Sequence, residues 1–273
     1  MTLKTSSIRL IGIDVDGTLV GASGTIHPRV WSAAERARDI GIHLTLCSGR
    51  PAFGVAREFA RRLDAAGWHV FQNGASVVNL GNEESRSAPL PRECVHMLIA
   101  QARDTGHVLE LYSDSEYVVE STGDWAREHA ELLGLPFDPR PFEALQGPVV
   151  RAQWLVTSAD ADRVRATIPT GVEIAQSTSP LMPDTQFVGV TRKGVSKGTA
   201  MQAIAGEYHV DLRDVMYIGD AGNDLPALEV VGHPIAAGGA SAAVRATAHH
   251  TVASPEEGGV AEALELAMAT WKG

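Results

Sequence analysis

Arg9-Leu10-Ile11-Gly12-Ile13-Asp14-Val15-Asp16-Gly17-Thr18-Leu19 is the stretch on which the fold turns. An apolar run leads straight into two aspartates with one residue between them. A Leu- and Ile-rich run ending in a Gly-containing turn reads as a buried strand of a parallel sheet. In such sheets ligands bind beyond the carboxyl ends of the strands. Asp14 and Asp16 are thus expected where chemistry is placed, converging on one crevice as the strand ends, with Gly17 freeing the backbone for a sharp turn. Two carboxylates about 4 Å apart at an effective dielectric near 20 repel by roughly 4 kcal/mol. A site holding both must take a cation or keep one protonated. A cation points to Mg²⁺ and a phosphate substrate; a protonated partner points to a nucleophile beside a general acid. The ordinary alternative is a turn that merely uses Asp and Gly.

Outward from this strand the pattern repeats. Pro28 to Ile40 predicts a helix with Val30, Ala34 and Ala37 on one face. Ile42 to Cys47 predicts a second buried strand ending at Ser48-Gly49-Arg50-Pro51. A helix follows over 52–66, then a strand over Trp68 to Phe71 leading into Gln72-Asn73-Gly74, with Ser76 to Asn79 as a return strand. This β-α-β-α-β rhythm indicates an α/β fold with a doubly wound parallel sheet. Charges, serines and prolines between Glu83 and Pro91 mark a junction. The middle third pairs its strands as hairpins (108–112 with 116–120, then 149–156, 172–176 and 186–191) between helices at 91–105, 124–133 and 159–168, which reads as an inserted α+β unit. From Lys193 the first rhythm returns, with a helix over 197–209 capped by Ser196, a strand at 215–218 and a strand at 234–237. Helices at 225–230, 241–248 and 258–269 complete it. The expected division is a core of residues 1–84 and 192–273 and an inserted domain of residues 85–191.

Four polar clusters fall at strand ends or helix starts: Asp14/Asp16, Ser48/Gly49/Arg50, Lys197, and Asp220/Asn223/Asp224. Each has an ordinary explanation, such as a cap, a surface ion pair or a turn. Lys197 stands out because a cation in a helix's first turn opposes the helix dipole. It makes sense there facing an anion, the alternative being a side chain snorkelling into water.

On these residues the chain resembles the haloacid dehalogenase superfamily of phosphatases, in particular the Cof-like branch with a large α/β cap. Asp14-Val15-Asp16-Gly17-Thr18-Leu19 matches the family's first motif, Ser48 in Cys47-Ser48-Gly49-Arg50 the second, and Lys197 in Val195-Ser196-Lys197-Gly198 the third. Gly219-Asp220-Ala221-Gly222-Asn223-Asp224 matches the fourth. The resemblance implies a Rossmann-like core with the cap inserted between the second and third motifs, closing over the site. It implies that Asp14 attacks phosphorus to form an aspartyl-phosphate, that Asp16 is general acid and then base, and that Ser48 and Lys197 hold the transferring oxygens. Mg²⁺ would be held by Asp14, the Asp16 backbone carbonyl and Asp220, with Asp224 in support. Thr18, Gly49, Arg50, Asn73 and Asn223 are the candidate substrate contacts. Two departures are visible: Ala237-Gly238-Gly239-Ala240 replaces a Met-Gly-Asn-Ala run, and Pro226 follows the fourth motif closely. The second aspartate, Asp16, speaks against dehalogenase chemistry.

Bulk properties narrow the partners. The chain has 273 residues and a formal net charge of -10, which disfavours nucleic acid and anionic membranes. Cys47 and Cys94 are too few for a disulfide framework or structural zinc. There is no secretory signal and no membrane-length apolar run, so a cytoplasmic enzyme is expected, monomer or homodimer, acting on a small phosphorylated metabolite such as a sugar phosphate. The alternatives are a phosphomutase using the same aspartates, or a non-catalytic phosphate- and metal-binding protein. Trp125, Trp154 and Tyr112 are read as either pocket lining or core, Cys47 as packing, and His249-His250 as a solvated helix end.

Overall fold

A computed structural model describes residues 7–179 and 181–271. The described chain divides into two compact units: one takes the chain up to Gly49, Glu58–Arg86 and the chain from Ser196 onward, and the other takes Arg50–Arg57 and Ser87–Val195.

The first unit is built on strands β1 (Leu10–Asp14), β2 (His43–Cys47), β3 (Trp68–Phe71) and β4 (Ser76–Asn79), with helix α1 (Arg29–Asp39) and, from Glu58 onward, helix α2 (Val55–Asp64) between them. The second supplies α3 (Arg92–Thr105), β5 (Val108–Tyr112), β6 (Tyr117–Val119), α4 (Asp124–Leu133), β7 (Arg151–Val156), α5 (Ser158–Thr167), β8 (Val172–Ser179) and β9 (Met182–Arg192). The chain then completes the first unit with α6 (Lys197–Glu207), β10 (Val215–Gly219), α7 (Leu225–Leu228), β11 (His233–Ala236), α8 (Ala242–Thr247), β12 (His250–Thr251) and α9 (Gly259–Thr270).

Among the described residues the first unit's sheet runs β12-β11-β10-β1-β2-β3-β4. All neighbours are parallel except β3 and β4. Leu10 to Asp14 are buried throughout, as expected for a strand covered on both faces. Helix α1 buries Val30, Ala33, Ala34 and Ala37, one apolar stripe at helical spacing, and packs against α9. A further apolar cluster joins Leu10, Tyr217 and Val215 to Met201 and Ile204 of α6, Ala227 and Leu228 of α7, and Val244 of α8. From β1 the chain winds one way through β2 and β3, and from β10 the other way through β11 and β12. The carboxyl ends of β1 and β10 therefore form a topological switch point, where open α/β sheets bind ligands.

The second unit is an antiparallel sheet, β6-β5-β7-β9-β8 among the described residues. Leu109, Leu111, Trp154, Val188 and Val190 share a core with Leu98 of α3 and Val164 of α5. Alternate residues on the same strands, Val108, Leu155 and Phe187, pack with Ala126 of α4. Trp154 and Tyr112 are buried and Trp125 is partly exposed, so core packing accounts for the first two.

Several boundaries differ from the sequence reading. The short strands expected at 172–176 and 186–191 extend to β8 and β9, whose pairing continues past a register shift between Thr178 and Ser179. The polar composition there reads as loop because the strand residues of β8 are mostly exposed. His249 and His250 do not end a helix: α8 stops at Thr247, and His250 joins β12 at the sheet edge, paired with Ile235. Both are exposed, and an edge strand so short gives no apolar signal.

Candidate active site

Strand register assembles the site. Ile13 lies opposite Ile218 and Asp14 opposite Cys47, so Asp14, Ser48 and the Gly219-Asp220 turn leave adjacent strand ends. Helix α6 begins at the same edge. Its start is pinned by reciprocal bonds, Thr199 N donating to Ser196 Oγ at 3.1 Å and Ser196 N donating to Thr199 Oγ1 at 3.0 Å. Lys197 is consequently held in the first turn, fully buried. Its Nζ donates to Asp14 Oδ1 at 2.5 Å and to Asp224 Oδ1 at 2.7 Å. Snorkelling into water is excluded, and the helix-dipole penalty is offset by two buried carboxylates.

Asp224, also fully buried, is engaged on both oxygens. Oδ1 accepts from Lys197 and from the Tyr217 hydroxyl at 2.7 Å, and Oδ2 accepts from the backbone N–H groups of Asp220 and Ala221, each at 3.0 Å. Thr18 Oγ1 donates to Asp220 Oδ1 at 3.3 Å. Asp14, Asp220 and Asp224 each offer a carboxylate oxygen within 4.8 Å of the others. The turn after β1 makes this approach possible: Gly17 has φ +89°, and a Cβ there would lie 2.2 Å from Asp220 Oδ2.

The charge balance is lopsided. Three carboxylates against one ammonium leave an excess of two negative charges in a mostly buried pocket. Burial pushes Asp14 from its ordinary 3.8 up to about 8, against the pull of Lys197. Asp220 is raised too, by burial and then by Asp224. Burial works against the Lys197 ammonium, but Asp14 and Asp224 outweigh it and lift its pKa. An oxygen-only donor set with surplus negative charge fits a hard divalent cation such as Mg²⁺, which would restore the ionised carboxylates.

Asp16 lies in the turn that follows Asp14, the last residue of β1. The chain folds back after Val15, with Leu19 N and Val20 N donating to Val15 O, and Asp16 is exposed. Two further carboxylates, Asp220 and Asp224, come close to Asp14 from the turn after β10. Ser48 is buried beside the strand end, its N–H on Val70 O at 2.9 Å. Asn73 donates its N–H to Ser48 O at 2.9 Å and accepts from Asn223 Nδ2 at 3.0 Å. Gln72 and Asn73 both have positive φ, 51° and 56°, a conformation disfavoured for residues with a Cβ. A Cβ on Gly49 would lie 3.3 Å from the Asn73 amide. Thus Gly49, Asn73 and Asn223 are neighbours on the same unit. Arg50 belongs by contacts to the other unit and is partly exposed. Cys47 is buried with its Sγ 3.4 Å from Met201 Sδ, a packing position. Tyr217 was not singled out by sequence. Its one signal is a phenol in an otherwise apolar buried strand, since a buried hydroxyl needs a partner.

The profile of the haloacid dehalogenase-like hydrolases matches residues 11–264. The chain belongs to this family. Curated relatives of this haloacid dehalogenase-like hydrolase include the HMP-PP phosphatase of Escherichia coli, 26% identical over 89% of this chain and 88% of that one. Another is the 5-amino-6-(5-phospho-D-ribitylamino)uracil phosphatase YwtE of Bacillus subtilis, 24% identical over 93% and 96%. Among solved structures, a sugar phosphatase of HAD subclass IIB superposes with a TM-score of 0.75 at 25% identity, covering 94% of this chain and 98% of that one. No helix among the described residues is long and apolar enough to cross a membrane.

Proposed function

We propose that this hydrolase is a cytoplasmic, Mg²⁺-dependent phosphatase of a small phosphorylated metabolite, a sugar phosphate or similar monoester, working through an aspartyl-phosphate on Asp14. The observation that carries the reading is the buried ammonium of Lys197 shared between Asp14 and Asp224. A cation held 2.5 Å from a carboxylate oxygen at a strand end favours the ionised form a nucleophile needs, and a divalent cation would supply what Lys197 alone does not offset.

Asp14 attacks phosphorus as the leaving oxygen departs. Asp16, exposed next to it in the chain, gives a proton to the leaving alcohol and then takes one from the water that hydrolyses the acyl phosphate. Lys197 and the Ser48 hydroxyl hold the equatorial oxygens, where preorganised donors act most strongly in a dry site. Asp14, Asp220 and the Asp16 carbonyl are the proposed Mg²⁺ ligands, and Asp224, its oxygens already accepting hydrogen bonds, supports them. The ion would supply charge neutralisation at the transferring oxygens. Thr18, Gly49, Arg50, Asn73 and Asn223 are proposed substrate contacts. The named relatives are phosphatases of different phosphorylated compounds.

The test is phosphate release from a panel of phosphorylated metabolites with Mg²⁺, beside Asp14→Asn and an EDTA control. Release that needs Mg²⁺ and is lost in Asp14→Asn supports the phosphatase. Rearranged phosphate ester without stoichiometric inorganic phosphate would replace it with a phosphomutase. Mg²⁺ and phosphate binding with no turnover of any compound would replace it with a binding protein.

A further inference from the structure

Tyr217 enters the site through a gap in the strand beside it. It is fully buried on β10, and the residue directly opposite on β1 is Gly12. A Cβ on Gly12 would lie 2.6 Å from Tyr217 Cδ2 and 2.9 Å from Met201 Sδ. The missing side chain leaves the space in which the Tyr217 ring lies against β1 under α6. From there its hydroxyl donates to Asp224 Oδ1 at 2.7 Å, the same oxygen that accepts from Lys197.

A carboxylate offers about four lone-pair sites. Among the described residues Asp224 fills them with Lys197 and Tyr217 on one oxygen and the Asp220 and Ala221 amides on the other. The two amides fix one end of the carboxylate. At the other end the phenol and the ammonium share one oxygen, so Lys197 does not take its full charge. The shorter bond of Lys197 is the one to Asp14.

We propose that Tyr217 is a positioning residue: by sharing Asp224 Oδ1 it keeps the Lys197 ammonium leaning toward Asp14, where an incoming phosphoryl oxygen is met, and Gly12 is the residue that admits it. The inference rests on the reading of Lys197 as the group that holds the transferring oxygens. Without the phenol, Asp224 Oδ1 would draw Lys197 away from Asp14.

The experiment compares wild type with Tyr217→Phe and Gly12→Ala, each checked for fold by circular dichroism. Orthophosphate and orthovanadate binding to the Mg²⁺-loaded protein, and Mg²⁺ binding itself, are measured by calorimetry. Phosphate release from p-nitrophenyl phosphate is measured alongside. Tyr217→Phe should weaken orthovanadate binding and lower kcat by about tenfold each, the scale of one hydrogen bond in a charged network, while orthophosphate, which resembles the ground state, loses no more than about twofold. The KM and the Mg²⁺ affinity should stay within about twofold, because Asp14 and Asp220 are untouched. Gly12→Ala should reproduce the loss by displacing the ring with its hydroxyl intact, and the double variant should add little. A folded Tyr217→Phe with wild-type kcat and orthovanadate affinity would overturn the proposal and leave Tyr217 a core residue whose hydroxyl Asp224 merely satisfies. If wild type releases no phosphate but the orthovanadate affinity still falls in Tyr217→Phe, the positioning role stands and the phosphatase reading fails.

Discussion

Lys197 decides most at the scale of single residues. Its ammonium bonds both the first and the last aspartate of the site. Lys197→Met should lower phosphate release by about 10²–10³-fold, as loss of one oxyanion-stabilising group does, measured as initial rates at saturating Mg²⁺. Asp14 gives a pH prediction of definite sign. Burial raises its folded pKa from 3.8 to about 8, so between those values the folded state binds a proton that the unfolded chain has lost. Its contribution is therefore complete below the unfolded value and disappears as pH rises through about 8. Asp220 shifts in the same direction. The metal-free protein should lose thermal stability from this source between about pH 5 and about pH 8, and added Mg²⁺ should restore more at the upper end; melting curves with EDTA or Mg²⁺ across that range check it. A Mg²⁺ increment that is flat with pH would contradict the assignment. Sequence alone placed Asp14, Lys197, Asp220 and Asp224 at strand ends and a helix start, and the structure brings those four together. It could not show that Asp220 and Asp224 come within reach of Asp14, because they lie far along the chain from it and only the pairing of β1 with β10 brings them there. Tyr217 escaped notice because, inside Val215–Gly219, a tyrosine looks like any other core residue.

Among the elements, the start of α6 and the turn after β1 do the aiming. Ser196→Ala removes the acceptor for Thr199 N and should cost about 1 kcal/mol, visible as a lower urea midpoint, with a fall in turnover because Lys197 is the next residue. Gly17→Ala should weaken Mg²⁺ binding in calorimetry, since φ +89° disfavours a Cβ and that Cβ would meet Asp220. The strands and helices of the doubly wound sheet were legible because both faces are buried and the apolar runs are continuous. The full length of the hairpin β8–β9 is not legible in sequence because its exposed residues carry no alternation of apolar side chains. The second unit also hides a polar cluster that no sequence pattern announces: buried Glu110 accepts from the Tyr112 hydroxyl at 2.5 Å and lies 2.9 Å from His129 Nδ1. Such a group among apolar strand residues is tolerated only when paired, and its partner on α4 is not in sequence register with it.

At the scale of the whole molecule, two units with separate apolar cores should respond separately to ligand. The carboxylate cluster lies in the first, so Mg²⁺ at about 100 times its dissociation constant should stabilise that unit by about 2.7 kcal/mol and leave the second unmoved. Single-tryptophan variants keeping Trp68 or Trp154, which lie in different units, would report the two transitions; an equal shift in both would show that they unfold as one. The insertion has a further consequence for the order in which the protein is made. Strand β1 is central, yet its partner β10 pairs Leu10 with Val215, so the ribosome must synthesise the whole second unit before that edge is closed. Until then the nascent chain presents an open, apolar parallel edge, the kind of surface that chaperones shield. It also presents Asp14 without Lys197, so the half-made enzyme carries its nucleophile but not the charge that aims it.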